Sequence, residues 1–240
     1  GSNNVALGNS ALAANTTAAN NTAVGYQALL DNTTGTINTA LGRQALANNT
    51  TGTNNTAVSY AMVTNTTGSS NTAVGLSALN ANTTASNNTA VGYLALSTNT
   101  TGSALTAIGA AALDANTTGI DSTAVGVSAL SENTTGNYNV AVGRVALLHN
   151  TTASNNTAVG FSAGEFATTA DNSTFVGFQA GQGITGTKLT GDNNTAVGKD
   201  AGLLLQGAAN GNTLIGGLAG DAITTGVSNV MLGYASVASA

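Results

Sequence analysis

The sequence predicts an all-β fold, a parallel β-solenoid in which one short unit is repeated along the chain. The motif Asn-Thr-Ala-Val-Gly of residues 21–25 is one of fourteen similar copies along the chain. The closing residue of the motif recurs with a regular step of about 17 residues. The apolar residues do not follow the 3.6-residue period of a helix, and a unit of this length is too short for a β-α-β unit. We therefore expect about 14 coils in a single domain that spans residues 1–240.

The first element of each unit is a short strand directly before the closing residue. In the copy that ends at Gly25, the strand residues are Thr22, Ala23 and Val24. The first position is Thr or Val and the third is aliphatic in every copy, and both lie on one face because side chains alternate along a strand. The middle position is Ala in eleven copies, so the opposite face is apolar too. Both faces of the strand are expected to be covered.

Two further elements complete the unit. The segment after the motif, residues 26–29 in the second copy, has Ala at its third place in twelve copies and is interpreted as a second short strand. The sequence Asn-Thr-Thr then occurs nine times, usually before Gly, which is turn composition. Asn also opens the strand motif in eleven copies. We expect these Asn side chains to stack and hydrogen-bond between coils, and a solvent-facing row that binds a ligand is the alternative.

Residues 1–165 follow the regular repeat, whereas residues 166–240 form irregular coils. In the later region the fourth residue after the motif changes from Leu to Gly, and the Ala position becomes Phe175, Leu214 and Met231 in three copies. We interpret these changes as compensation, because a lost Leu leaves a cavity unless another side chain fills it. A longer loop is expected to project at 181–193. The step from Ser59 to Gly75 is a single residue shorter than the regular one, and an ordinary extended conformation is expected at Ser59.

Composition excludes several classes of function. Charged residues make up only 5% of the chain, and four Lys and Arg against nine Asp and Glu provide no basic track for nucleic acid. The chain lacks Cys, and its apolar stretches are too short to insert into a membrane. The single His149 has no acid or nucleophile at a catalytic spacing, and the nine acidic residues form no calcium-binding repeat. We therefore expect a protein that is not an enzyme and has no cofactor and no metal.

A thin coil can enclose only one face of its strand, so the other face needs a separate cover. Another copy of the chain is the natural cover, because stacked small residues let a second backbone approach closely. The sequence therefore predicts a homo-oligomer. The strand alanines assigned to packing between its chains are Ala23, Ala40, Ala57, Ala73, Ala90, Ala107, Ala124, Ala141 and Ala158.

The repeat resembles sequences of known fibrous families. The motifs at residues 4–8 and 139–143 resemble the Ser-Val-Ala-Ile-Gly repeat of YadA-like head domains in trimeric autotransporter adhesins. The whole unit is similar to repeats of phage tail fibres and related surface fibres. The resemblance implies a left-handed parallel β-roll, a homotrimer with three chains side by side, and a structural or adhesive segment of an extracellular fibre. It implies a bacterial cell surface or a phage tail fibre as the location.

The residue directly after the closing residue differs from copy to copy, which is typical of a surface that contacts a partner. Tyr and Arg, which are frequent in interfaces, recur there. A host-surface protein or a glycan would be the receptor, and cover of the coil flank by long side chains is the alternative. The candidate surface-contact residues are Tyr26, Arg43, Tyr60, Tyr93, Arg144, Phe161, Phe178 and Lys199.

Ice binding is the competing function from a different class. A solenoid with little charge and with Thr stacked at regular spacing offers the flat, repetitive surface that ice requires. The Thr pair of each Asn-Thr-Thr segment is adjacent, however, so in an extended strand its two hydroxyls would point to opposite faces. A passive spacer within a fibre is a further alternative.

Overall fold

The computed structural model describes residues 1–237 and is a parallel β-solenoid of about 13 turns with a repeat of about 17 residues. The last three residues of the predicted irregular region lie outside the described residues. Fourteen strands of three residues each delimit the turns of the described chain. They are β1 Val5–Leu7, β2 Thr22–Val24, β3 Thr39–Leu41, β4 Thr56–Val58, β5 Thr72–Val74, β6 Thr89–Val91, β7 Thr106–Ile108, β8 Thr123–Val125, β9 Val140–Val142, β10 Thr157–Val159, β11 Thr174–Val176, β12 Thr195–Val197, β13 Thr213–Ile215 and β14 Val230–Leu232.

The chain forms two compact units, Gly1–Thr118 and Gly119–Ala240. In the first unit, strands β1 to β7 pair in parallel in sequence order, each shifted by one repeat. In the second unit, β8 to β14 pair in the same way. Ala23 is therefore opposite Ala40, and Val24 is opposite Leu41. Equivalent positions of successive coils stack, which turns each position of the repeat into a row.

The segment predicted as a second strand is a series of turns, so that prediction is wrong. In the second coil, Gln27 and Leu29 have φ of +56° and +51°, and two left-handed residues in so short a segment prevent an extended strand. Hydrogen bonds between coils continue nevertheless. The Gln27 N–H donates to the Asn9 carbonyl at 2.9 Å, and the Leu29 N–H donates to the Ala45 carbonyl at 3.1 Å. The coils are thus joined by backbone hydrogen bonds on this side as well.

A column of left-handed Leu residues fills the interior of the regular coils. Leu29 and its equivalents are almost or completely buried, with φ between +50° and +53°. This conformation is rare for a bulky side chain, so packing must outweigh the backbone strain. In the short coil Met62, rather than the neighbouring Val63, occupies the position. The residues at this position are Leu12, Leu29, Leu46, Met62, Leu79, Leu96 and Leu113 in the first unit, and Leu130 and Leu147 in the second unit.

The Asn residues form two buried rows that are structural. In the row from the Asn-Thr-Thr turns, amides donate to the Asn of the preceding coil, as Asn49 Nδ2 does to Asn32 Oδ1 at 2.8 Å. In the row that opens the strands, Asn38 accepts the Asn55 N–H at 3.0 Å through Oδ1. Its Nδ2 donates to the Gly52 carbonyl at 2.9 Å. These amides are buried, so a solvent-facing ligand row is not what they form.

Beyond residue 165 the interior is filled from the opposite side. Phe175 is fully buried, and its ring lies against both Gly164 and Gly181, which occupy the Leu position with φ of +60° and +57°. A Cβ added to Gly164 would lie 2.5 Å from Phe175 Cδ2. Leu214 fills the same space between Gly202 and Gly220. One large side chain therefore serves two glycine coils, which explains why Ala158 and Ala196 coexist with Gly164 and Gly202.

The longest coil contains a small protruding turn. The Thr187 N–H donates to the Ile184 carbonyl at 3.3 Å, and residues 185–187 are exposed. Leu189 then returns to the interior, where it is fully buried and its N–H donates to the Phe166 carbonyl at 2.9 Å. The protruding part of the 181–193 loop is thus limited to the short turn around Gly186.

Candidate functional surfaces

Two exposed surfaces repeat from coil to coil in each unit. The first, the contact row, consists of the residue directly after the closing residue of each motif. The second, the outer strand face, consists of the first and third residues of each strand.

The nine strand alanines do not belong to either exposed surface. Every one of them has no exposed area within its own chain, because the middle residue of each strand points into the coil. Residues without exposed area cannot contact a second copy of this fold. The assignment of Ala23, Ala40, Ala57, Ala73, Ala90, Ala107, Ala124, Ala141 and Ala158 to packing between chains is therefore corrected to packing inside one chain.

The outer strand face consists of a Thr row beside an aliphatic row. Most of its residues are half-buried, and Leu41 and Ile108 in the first unit are 47% and 41% exposed. In the second unit Val159 and Ile215 are each 39% exposed. Because coils pair in register, these apolar side chains form a continuous strip within each unit. Only one of the two strand faces is covered by the chain itself.

The contact row depends on the glycine that precedes it. Closing glycines have φ between +118° and +140°, and a Cβ at Gly92 would lie 2.5 Å from the Gly109 carbonyl oxygen of the next coil. Glycine thus permits the close approach of successive coils at this corner. The side chains that follow it, including Tyr26 and Tyr93 at 48% and 56% exposure, are directed to solvent.

Aromatic and cationic side chains stack along the contact row. In the first unit the Arg43 guanidinium lies over the Tyr60 ring, 5.9 Å from its centroid. In the second unit Arg144 lies 5.7 Å from the centroid of the Phe161 ring. All eight predicted surface-contact residues belong to the contact row, because each directly follows a closing residue. The two residues of each stacked pair are one repeat apart.

The stack of the second unit continues through two more coils. The rings of Phe161 and Phe178 are 5.3 Å apart, and Lys199 Nζ lies 5.8 Å from the Phe178 centroid. The Lys199 ammonium is also paired with the carboxylate of Asp200. Cations over aromatic faces are mutually stabilising. In this part of the row, the two Phe rings and the Lys199 ammonium are therefore already in contact with groups of the same chain.

The short coil interrupts the surface beside the contact row and leaves an open groove of about 430 Å³. We call it the short-coil groove. It extends over three successive coils of the first unit. Its lining residues are Gly42, Arg43, Ser59, Tyr60, Leu76 and Ser77.

Ser59, which lines this groove, has φ of +78°, so the predicted extended conformation is wrong. The deleted residue is the one that corresponds to Gln44, which has φ of +55° in the preceding coil. The closing position has positive φ in the other coils too, at +118° to +140° where it is Gly, so Ser59 adopts a backbone conformation that this position requires. A non-glycine residue there stores strain on the order of 1–3 kcal/mol.

His149 contacts its counterparts in the neighbouring coils. Its Nδ1 lies 3.0 Å from Glu132 Oε1, and its ring stacks on Phe166 with centroids 4.9 Å apart. Glu132 and Phe166 are each one repeat away, so the regular spacing could have identified both contacts from the sequence. Within residues 1–237 no three His, Asp or Glu side chains are close enough together to hold a metal ion.

The two Thr residues of each Asn-Thr-Thr turn have different surroundings. The hydroxyl of Thr50 donates to the Thr66 carbonyl at 3.0 Å and so joins two coils. The next residue, Thr51, is exposed. A turn therefore contributes one Thr to an exposed row, and the Thr row of the outer strand face is separate from it.

Comparison with known proteins assigns no family to this chain. No protein-family model, no curated protein and no solved structure matches it. The described residues also include no helix with the length and apolar character required to cross a bilayer. A functional assignment must therefore be based on the two exposed surfaces.

Proposed function

We propose that this chain is a non-enzymatic structural and adhesive segment of an extracellular fibre, in which three copies assemble side by side as left-handed β-rolls. The fibre belongs to a bacterial cell surface or a phage tail. The outer strand face mediates assembly, and the contact row faces the surface to which the fibre attaches. The resemblance to YadA-like heads and tail-fibre repeats supports the trimeric arrangement.

The observation that carries this proposal is the aliphatic row of the outer strand face. Its side chains are partly exposed in every coil of both units, although a soluble monomer rarely leaves so long an apolar strip uncovered. The strip is regular and consists of uncharged side chains, so a second copy could cover it with the same residues. Closed assembly of identical chains would remove it from water with one repeated contact.

Light scattering tests the assembly. A trimer is expected at about three times 23.1 kDa. The change Leu41→Glu, on the outer strand face, should release monomers, because each interface would then bury an unpaired charge. Ile37→Glu is the matched control, since Ile37 is 56% exposed and lies outside that face. A wild-type chain that remains a monomer at all concentrations refutes the proposed assembly.

The outer strand face favours ice binding as a second candidate. In the first unit its Thr row runs without interruption from Thr22 to Thr106, in register and beside the aliphatic row. Stacked coils place these hydroxyl and methyl groups about 4.8 Å apart, a regular array that can order water. Assembly through this face would cover the same array, so the two functions exclude each other there.

Thermal hysteresis distinguishes the two candidates. If the outer strand face binds ice, the wild-type chain lowers the freezing point, and Thr89→Tyr abolishes the effect. Thr84→Tyr, in the exposed row of the turns, leaves it intact. A trimer without thermal hysteresis supports the fibre.

A further inference from the structure

The short-coil groove exists because one row of side chains has a gap. In the first unit, the position after the contact row is occupied by Gln27 and Gln44, whose side chains are joined at 3.1 Å, and two coils later by Ser77. The short coil has no residue at this position. The gap exposes the flank of the contact row only where the deletion occurs.

The gap also leaves a backbone acceptor without its usual partner. The Tyr26 carbonyl accepts the Gln44 N–H at 2.8 Å, and the Tyr60 carbonyl accepts the Ser77 N–H at 2.8 Å. Within residues 1–237 no backbone N–H donates to the equivalent carbonyl of Arg43. Arg43 therefore offers an acceptor oxygen and a donor side chain at the same groove.

The charge of Arg43 is not neutralised within residues 1–237, where its guanidinium has no ion pair and stacks only on Tyr60. The hydroxyls of Ser59 and Ser77 likewise make no hydrogen bond to any of residues 1–237. Leu76, which is 50% exposed, adds an apolar surface. A cation, two hydroxyls, a carbonyl oxygen, an aromatic ring and an apolar patch thus converge on one open groove.

We infer that the short-coil groove binds an acidic saccharide. A guanidinium matches a carboxylate with two parallel hydrogen bonds, and the serines and the Arg43 carbonyl suit the hydroxyls of a sugar. Tyr60 and Leu76 provide the apolar surface on which the C–H face of a sugar ring packs. Three coils extend over about 10 Å, roughly two sugar residues. The inference rests on the proposed adhesive function, because it names the ligand class of one part of the contact row.

The second unit contains a natural control. Arg144 stacks on Phe161 as Arg43 does on Tyr60, but its coil has the full length of the repeat. Val145 fills the position that is missing in the short coil, and its N–H donates to the Val127 carbonyl at 3.0 Å. An Arg on an aromatic ring is therefore present in both places, whereas the position after it is missing only in the short coil.

An array of carboxylated, sulfated and neutral glycans tests the inference with the whole chain. Carboxylated glycans should be retained, and Arg43→Ala should weaken their binding at least tenfold. Insertion of Gln between Tyr60 and Ala61, combined with Ser59→Gly, restores the regular coil and should abolish binding without loss of folding. Lys188→Ala, which removes a cation outside the contact row, should leave binding unchanged.

Retention of no carboxylated glycan, or only of sulfated or neutral ones, overturns the inference. Equal losses in Arg43→Ala and Lys188→Ala overturn it as well, since they would show attraction by charge alone. Light scattering on the same samples separates this result from the proposed assembly. A trimer that binds no glycan contradicts only the saccharide site, and a glycan-binding monomer contradicts only the trimer.

Discussion

The coils before and after residue 165 fill the same interior in two different ways. In the earlier coils a buried, left-handed Leu such as Leu79 is combined with small buried strand residues such as Ala73. In the later coils glycine takes the left-handed position, and Phe175 or Leu214 fills the space from the strand. The residue in the left-handed position and the middle residue of the strand can each be large or small. The comparison shows that what is maintained is the volume that the two fill together.

The two solutions place strain in different parts of the molecule. A left-handed Leu is unfavourable for the backbone but gives each coil its own core residue. A left-handed Gly removes that strain and makes two coils depend on one side chain. The buried amide row of the Asn-Thr-Thr turns also stops at this transition, because Ala167 follows Asn150 by one repeat and leaves Asn150 Oδ1 without a donor.

Removal of Phe175 should have the largest effect on the later coils. Phe175→Ala leaves a cavity beside Gly164 and Gly181 and should lower the free energy of unfolding by about 3–5 kcal/mol. Phe178→Ala is the matched control, because Phe178 is 46% exposed. Urea unfolding measures both. Equal losses in the two variants would show that Phe175 does not support its neighbouring coils.

In the earlier coils, the amide row should be the most sensitive polar feature. Asn82 Nδ2 donates to Asn65 Oδ1 at 2.7 Å and to the Ala85 carbonyl at 3.0 Å. Asn82→Asp would place a buried carboxylate against both acceptor oxygens. It should lower the free energy of unfolding by about 3 kcal/mol at neutral pH. The loss should shrink in acid, where the carboxyl is protonated. Asn87→Asp, at an exposed position, should have little effect on the unfolding midpoint at any pH.

Overpacking of the later interior should have a smaller effect. Gly181→Ala would place a Cβ against the Phe175 ring and should cost about 1–3 kcal/mol beyond the backbone strain. Gly207→Ala controls for that strain, because Gly207 has φ of +55° but no atom closer than 3.7 Å to an added Cβ. The difference in unfolding free energy between the two variants isolates the packing. No difference would mean that the Phe175 ring moves freely.

The smallest expected effect is a gain of stability at the short coil. Ser59→Gly should raise the free energy of unfolding by about 1 kcal/mol, because glycine adopts φ of +78° without steric strain. Ser103→Gly is the comparison, since Ser103 is not among the residues with positive φ and should lose stability. Thermal unfolding measures both. A loss at Ser59 would show that its side chain contributes more than its strain removes.

The repeat makes much of the fold predictable from the amino-acid order. Its regular step predicts the solenoid, the in-register stacking and the structural role of the Asn rows, because identical residues in parallel coils must lie above one another. The contact row is predicted as a set for the same reason. The contacts of His149 with Glu132 and Phe166 were missed, although the same step predicts them.

The inner and outer faces of the strand could not be distinguished by composition. Both faces of Thr22–Val24 are compatible with burial, and the alanines such as Ala23 were assigned to the wrong one. Small side chains suit a narrow interior as well as a close interface between chains. Only the direction in which the coil closes decides between these alternatives, and that direction depends on all the turns together.

Sequence alone determined the period, the strand positions, the row of exposed contact residues and the exchange of Leu for large strand residues beyond residue 165. These properties depend on the spacing and the volume of residues, which can be read directly from the amino-acid order. The tertiary structure decided that Ala faces inward, that turns replace the second strand and that Ser59 becomes left-handed beside an open groove. Each of these depends on where neighbouring coils bring distant atoms, because backbone dihedral angles are selected by hydrogen bonds and close approaches between coils rather than by the residues of one repeat.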